Sequence, residues 1–181
     1  MYLFGRIESV VSDQSLRLKC WPATRGDAIT PKVPDTGFAI LKFVNGLSGS
    51  LGSVWSMVDG EGFRFEVWGS KGRLVTTAPL FPQAFDTQLF VSEAGLLGQR
   101  TQQRVEIPER LKTVPGSGVH ADQTSIARFP MAAVFRSICN DIAGRGRPAP
   151  DFRQALHVQE VIEAAVLSSD QGRWIRIADL P

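Results

Sequence analysis

The chain contains two histidines, His120 and His157. They are the only side chains whose ordinary ionisation lies near neutral pH, and so the first candidates for acid–base work. His120 stands in a polar stretch with Asp122 two residues on, just ahead of a helical zone. His157 lies between Leu156 and Val158 in the middle of a helical pattern and reads as a packing or surface residue. Neither has a visible third partner, so no catalytic constellation is expected. A serine nucleophile would want G-x-S-x-G between a strand and a helix; Gly46-Leu47-Ser48-Gly49-Ser50 misses that spacing and falls in a hairpin. Gly116-Ser117-Gly118-Val119-His120-Ala121 satisfies a loose G-x-G-x-x-A pattern. A dinucleotide loop needs a buried strand immediately before it, however, and Pro108-Glu109-Arg110-Leu111-Lys112 stands there instead. A flexible loop is the expectation. Cys20 and Cys139 are far apart with no C-x-x-C spacing, so they suggest neither a disulfide framework nor a metal site. Both are expected as buried packing thiols, and no metal ligands are assigned.

The elements that must position these residues come from an ordinary globular composition. The sequence has 181 residues, 43% hydrophobic and 21% charged, which argues against disorder and fits a single domain over 1–181. A formal charge of +2, with Arg128, Arg136, Arg145, Arg147 and Arg153 offset by Asp122, Asp141 and Asp151, gives no phosphate-tracking stripe, so nucleic acid is not expected as a partner. No stretch approaches the roughly 18 apolar residues of a membrane helix, and Met1-Tyr2-Leu3-Phe4-Gly5-Arg6 lacks the pattern of a secretory leader. A cytoplasmic protein without membrane contact is the expectation.

Two zones differ in period. Up to about Ile107 apolar residues alternate or run in short blocks, the strand signal. Gly5 to Val11 and Ser15 to Cys20 read as two strands around Ser12-Asp13-Gln14. Trp21 to Asp35, with Pro22, Gly26, Pro31 and Pro34, reads as a connector or lid. Thr36 to Val44, Leu47 to Val58, Gly62 to Gly69 and Arg73 to Thr77 read as an antiparallel meander. Its turns are Asn45-Gly46, in the type I′ form, Asp59-Gly60 and Ser70-Lys71-Gly72. Thr87 to Ser92 and Gln103 to Ile107 are further strand candidates. From about Asp122 the spacing of Ile126, Phe129, Val134, Phe135, Ile138 and Ile142 gives a helix from Pro130 to Ala143. A second helix follows Pro150, with Asp151 as its cap, Ala155, Val158, Ile162, Ala165 and Val166 along one face, and Gly172 closing it. Trp174 to Ile177 reads as a last strand.

Strands first and helices last indicate an α+β fold, an open and mainly antiparallel sheet with helices packed on one face. Thr36 to Val44 carries Phe38, Ile40 and Val44 on one side and Ala39, Leu41 and Phe43 on the other. A strand apolar on both sides needs two covers, so a further domain or subunit is expected against the helix-free face. In Gly62 to Gly69, Phe63, Phe65 and Val67 suit a covered core, while Arg64, Glu66 and Trp68 share the other side. A tryptophan between two charged residues fits an interface anchor, so a homodimer or higher homo-oligomer is expected there.

Three blocks in order resemble the carboxyl-terminal domain of the Gfo/Idh/MocA oxidoreductases. The first is Thr36-Gly37-Phe38-Ala39-Ile40-Leu41-Lys42-Phe43 followed by Asn45-Gly46-Leu47-Ser48-Gly49-Ser50. The second is Phe65-Glu66-Val67-Trp68-Gly69-Ser70-Lys71-Gly72-Arg73-Leu74. The third runs from Pro148-Ala149-Pro150-Asp151-Phe152 through Val158-Gln159-Glu160-Val161-Ile162-Glu163-Ala164-Ala165 to Ser168-Ser169 and Gly172-Arg173-Trp174-Ile175. The resemblance implies the open sheet described above, with its helix-free face pairing subunits.

It also implies that full-length relatives use NAD or NADP, held by a Rossmann domain with a glycine-rich turn and a lysine in E-K-P. Substrate-side Asp and His residues lie just before the strand that here follows Phe4-Gly5-Arg6-Ile7. None of these stands in the 181 residues, so no catalytic or cofactor-binding position can be carried over, and the resemblance implies a start partway into the second domain. The helix start contributes to sugar or polyol binding in some members; His120, Asp122, Arg128 and Phe129 fall there and are the candidate substrate residues. The expected function is the substrate-binding and subunit-pairing domain of an NAD(P)-dependent oxidoreductase acting on a sugar, polyol or related hydroxyl compound, inactive alone and holding no cofactor itself. The alternative is a stand-alone, non-catalytic binding or scaffold protein with the same sheet.

Overall fold

A computed structural model describes residues 3–21, 26–57, 59–80, 82, 85–93, 102–122, 127–146 and 150–181. In chain order the strands and helices are β1 (Ile7–Ser15), β2 (Thr36–Phe43), β3 (Ser48–Val54), β4 (Phe63–Gly69), β5 (Gly72–Ala78), β6 (Gln88–Glu93), β7 (Gln103–Val105), β8 (Thr113–Val114), β9 (Val119–His120), α1 (Arg128–Ile142), α2 (Phe152–Gln171) and β10 (Ile175–Arg176). The described strands pair antiparallel throughout, which makes the fold α+β. Two compact units emerge: Met1–Val58 with Pro150–Pro181, and Asp59–Ala149.

The first unit is a sheet of order β10-β1-β2-β3 with α2 against it. β1 runs straight through Ser12-Asp13-Gln14, where a break between two strands is expected from the sequence. Two backbone effects keep it extended. On one edge Ser12, Asp13 and Gln14 pair with Ala39, Phe38 and Gly37 of β2. On the other, β10 reaches only Ser9 and Val10, and side chains of α2 take over the ladder's role. The Ser12 N–H donates to Ser168 Oγ at 3.0 Å and the Gln14 N–H to Ser169 Oγ at 2.9 Å. Ser168 Oγ in turn donates to the Arg173 carbonyl at 2.6 Å. Consecutive helix serines thus satisfy strand donors that would otherwise be stranded in a partly buried seam. Val10, Ala164 and Ile175 form the core, with Ala39, Leu41, Ala165, Leu167, Ile177 and Leu180 around it.

The hairpin between β2 and β3 differs from the type I′ expectation. Gly46 N–H donates to Phe43 O at 3.0 Å, Phe43 N–H donates to Leu47 O at 2.9 Å, and Gly46 takes φ 85° while Asn45 does not turn left-handed. The loop therefore has three residues, closed by a glycine bulge. Asp151 Oδ1 accepts the Gln154 N–H at 2.8 Å, and Gly172 ends α2 at φ 63°, as the capping pattern predicts.

The second unit holds a sheet of order β4-β5-β6-β7 and the two-stranded hairpin β8-β9, against which α1 packs. The expected four-strand meander is therefore two hairpins in separate sheets, since β3 and β4 do not share a ladder. Ser70-Lys71 turns β4 into β5, and Gly72 is required after it. At φ 151° a Cβ there would be driven into the Ser92 carbonyl of β6. α1 starts at Arg128 rather than Pro130, because a proline in the first helical turn lacks only an N–H that has no intrahelical acceptor.

The apolar stripes that identify both helices are not the faces they bury. α2 buries His157, Ala164 and Ser168, while Ala155, Val158, Ile162 and Val166 of the expected face lie exposed and Ala165 is half-buried. In α1, Val134, Phe135, Ile138 and Ile142 are all exposed and Phe129 half-buried; Ile126 lies outside the described residues. On the sheet, Phe38 and Ile40 of β2 are 55% and 51% exposed on the face away from α2, opposite Ala39 and Leu41. Cys20 and Cys139 are exposed, not buried, each lying outside the packed faces of its unit.

Candidate functional site

His120 ends β9, Asp122 follows it, and Arg128 and Phe129 open α1, so all four candidate substrate residues lie around the junction of the β8-β9 hairpin with the helix; residues 123–126 between them are outside the described set. His120, Asp122 and Arg128 are exposed and Phe129 is half-buried. Thr113 Oγ1 lies 3.2 Å from His120 Nδ1, across the register pair Thr113–His120. Gly116-Ser117-Gly118 is the turn of this hairpin, where a flexible loop is expected from the sequence. Ser117 Oγ donates to Val114 O at 2.8 Å and accepts the Val119 N–H at 3.1 Å, and a Cβ on Gly116 would stand 3.3 Å from the Arg136 guanidinium of α1.

Glu66 and Trp68 lie on one side of β4 with Arg64, but Glu66 is a clamped carboxylate rather than an open one. Arg64 Nε donates to it at 2.6 Å, and Arg73 Nε, from β5, at 2.9 Å. The hydrogen bond from Arg73 is the largest influence on the Glu66 carboxyl; burial pushes it up, but Arg73 and Arg64 together hold it below the usual carboxylate range. Trp68 remains 71% exposed, with the Arg73 guanidinium 5.8 Å from its ring.

A third arrangement, in the first unit, escapes the sequence reading. A cleft of about 440 Å³ is lined by Trp21, Asp35, Leu51, Trp55, Val161 and Ile162 among others. The two indoles stand 6.1 Å apart at 30°. Asp35 is buried beneath them. Its Oδ1 accepts the Arg17 N–H and the Thr36 hydroxyl, both at 3.0 Å, and its Oδ2 accepts the Leu18 N–H at 2.8 Å. Burial pushes this carboxyl up, but the backbone donors of Leu18 and Arg17 and the Thr36 hydroxyl outweigh it, and the net shift is downward. A carboxylate with both oxygens occupied by donors ties Arg17 and Leu18 to the start of β2 rather than abstracting protons. The only sequence sign of it is an aspartate after Pro34 at the threshold of a strand.

His157, expected as a packing or surface residue, is buried, and the Ile7 N–H donates to its Nε2 at 3.1 Å across 150 positions. Among the described residues no group of three or more His, Cys, Asp or Glu could hold a metal ion, and no helix is long and apolar enough to cross a membrane.

The fold matches solved structures of similar architecture. A levoglucosan dehydrogenase in complex with NADH and L-sorbose aligns at 21% identity and a TM-score of 0.72, over 97% of this chain and 46% of that one. An NAD binding oxidoreductase from Klebsiella pneumoniae aligns at 17% identity and 0.69, over 95% and 46%. An aldose-aldose oxidoreductase from Caulobacter crescentus, complexed with glycerol, aligns at 18% identity and 0.65, over 95% and 42%. The chain thus spans less than half the length of each of these proteins. No curated protein sequence matches it. Residues 1–177 match the oxidoreductase family C-terminal alpha/beta domain, so the chain belongs to the Gfo/Idh/MocA oxidoreductases as their C-terminal domain.

Proposed function

We propose that this chain is the substrate-side and subunit-pairing domain of an NAD(P)-dependent oxidoreductase acting on a sugar, polyol or related hydroxyl compound, and that it is not catalytically complete alone. The observation that carries the reading is the pair of apolar helix stripes turned outward, Val158, Ile162 and Val166 on α2 and Val134, Phe135 and Ile138 on α1. Apolar surface at helical spacing marks faces built to be covered. The missing cover is the other half of a longer oxidoreductase. The residues present do not fit a dinucleotide. Gly116-Ser117-Gly118 turns between two short antiparallel strands instead of linking a buried strand to a helix N-terminus, so nothing here would aim amides at a pyrophosphate. The hydride chemistry therefore belongs to that other half.

In this reading His120, Asp122, Arg128 and Phe129 contribute polar and apolar contacts to the hydroxyl compound, with the bonded pair Thr113–His120 fixing the imidazole. Trp68 with its neighbours Arg64 and Glu66 supplies the subunit-pairing surface. The cleft under Trp21 and Trp55 favours the alternative of a stand-alone binding protein, because it lies wholly within the first unit. Turnover assays separate the two. Purified chain should reduce neither NAD nor NADP with any sugar or polyol. Measurable turnover that His120→Ala abolishes, which excludes a contaminant, defeats the proposal.

A further inference from the structure

β1 begins irregularly. Ile7 pairs with Phe43 and Ser9 with Lys42, so the register shifts between them, and β10 reaches no further than Ser9 on the other edge. The Ile7 N–H is turned out of the ladder into the side of α2, where it meets His157, whose ring is 2% exposed. An amide in such a place needs an acceptor, because a buried orphan donor is costly. His157 Nε2 at 3.1 Å is that acceptor. A ring nitrogen can accept only without a proton, so the ring must be neutral with its hydrogen on Nδ1. Glu160 Oε2 lies 3.2 Å from Nδ1 and takes that hydrogen. Arg6 Nη2, from the segment leading into β1, is 3.3 Å from Nδ1, and since a guanidinium only donates it pairs in this tautomer with the same carboxylate oxygen, at 3.7 Å, and not with the ring.

We propose that His157 is a protonation-dependent clip that holds the start of β1 to α2 while its ring is neutral and releases it when the ring becomes an imidazolium. The second proton must go to Nε2, where it faces the Ile7 N–H donor to donor, and the bond is lost. The charged groups reaching the ring among the described residues are Glu160 and Arg6, and Glu160 keeps its bond to Nδ1 in either state. Release is therefore local, the ring staying on the helix and the strand start leaving. The rest of the lead-in is tied independently of the ring. Val44 N–H donates to Arg6 O at 3.0 Å, Asn45 Nδ2 donates to Phe4 O at 3.1 Å, and Phe4 packs edge-on to Phe43 with centroids 6.1 Å apart. Acidification thus frees the Ile7 amide without unravelling the β2–β3 hairpin beside it.

The chain has one other histidine, so His120→Gln leaves a single imidazole to follow. Long-range proton–nitrogen spectra of that variant should show the Nδ1–H tautomer at neutral pH. As the ring protonates, the Ile7 amide should lose roughly tenfold in hydrogen-exchange protection beyond the intrinsic pH dependence, the scale of one hydrogen bond. In the double variant that adds His157→Gln, whose amide oxygen accepts at any pH, protection should stay level. An Nε2–H tautomer, a ring that stays neutral until the protein unfolds, Ile7 protection unchanged through protonation, or the same loss in the glutamine variant each overturns the clip. If the glutamine variant does not fold, the tautomer and the Ile7 profile of the single variant decide it alone.

Discussion

α2 and α1 meet their strands by different means. α2 lays a small and polar face on β1, where His157, Ser168 and Ser169 take backbone donors of the strand and Ala164 permits close approach. α1 packs on a hairpin of two-residue strands and has no residue fully buried along its 15 positions. Both helices leave large apolar side chains exposed, Leu156, Val158, Ile162 and Val166 on α2 and Val134, Phe135, Ile138 and Ile142 on α1. In α2, attachment and apolar surface are separate properties. Side-chain to backbone bonds fix it to the sheet, and its hydrophobic stripe is left for something else. The first unit should accordingly be the more self-sufficient, and the second the more dependent on whatever covers it.

Substitutions can break that contrast. Ser168→Ala removes both bonds of a fully buried hydroxyl, leaving the Ser12 N–H and the Arg173 carbonyl without partners, and should cost about 2 kcal/mol or more. Phe135→Gln, on the outward face of α1, should change stability of the isolated chain by less than about 0.5 kcal/mol. Chemical denaturation of both variants checks the pair of values. If Phe135→Gln were as damaging as Ser168→Ala, the stripe of α1 would already be covered in the isolated chain.

Asp35 sharpens the account of the first unit through pH. Its carboxyl is depressed in the folded state, so its stabilisation is present above the unfolded carboxylate value and is lost as pH falls through the folded one. Asp35→Asn, which has one acceptor oxygen where two backbone N–H groups need acceptors, should melt below the parent at neutral pH. The gap between the melting temperatures should narrow as the pH falls below the usual carboxylate range. A gap that is constant with pH would mean that the charge plays no part in holding Arg17 and Leu18 to Asp35.

Trp68 tests the pairing surface, which needs on the order of 1,000 Å² or more in total to be stable. Trp68→Glu should lower the light-scattering mass of the chain at micromolar concentration. A folded parent that is already monomeric refutes pairing, and an unchanged oligomer moves the interface away from Trp68, with Phe38 and Ile40 as the next surface to alter.

What was legible in the sequence follows from which interactions are local. Phe63-Arg64-Phe65-Glu66-Val67 and Arg73-Leu74-Val75 alternate and are bounded by turn residues, so β4 and β5 appear within a residue of their expected ends. β1 was misread because Ser12-Asp13-Gln14 looks like a turn unless the acceptors on Ser168 and Ser169, more than 150 positions away, are known. The helices were legible as helices, but the stripe that reveals them says only that a face is apolar, not what it packs against. Of the site, the neighbourhood of His120, Asp122, Arg128 and Phe129 at a helix start could be read. The saturated Asp35 and the His157–Ile7 bond could not, since each depends on backbone groups brought in by the fold.

If this domain supplies surfaces and substrate contacts while nucleotide binding lies outside it, the purified chain should take up neither nucleotide. Titration calorimetry of the purified chain with NADH and with NADPH tests this most directly. No heat above dilution is expected for either nucleotide, because the Gly116–Gly118 turn sits in an antiparallel hairpin. Micromolar binding of either would contradict it.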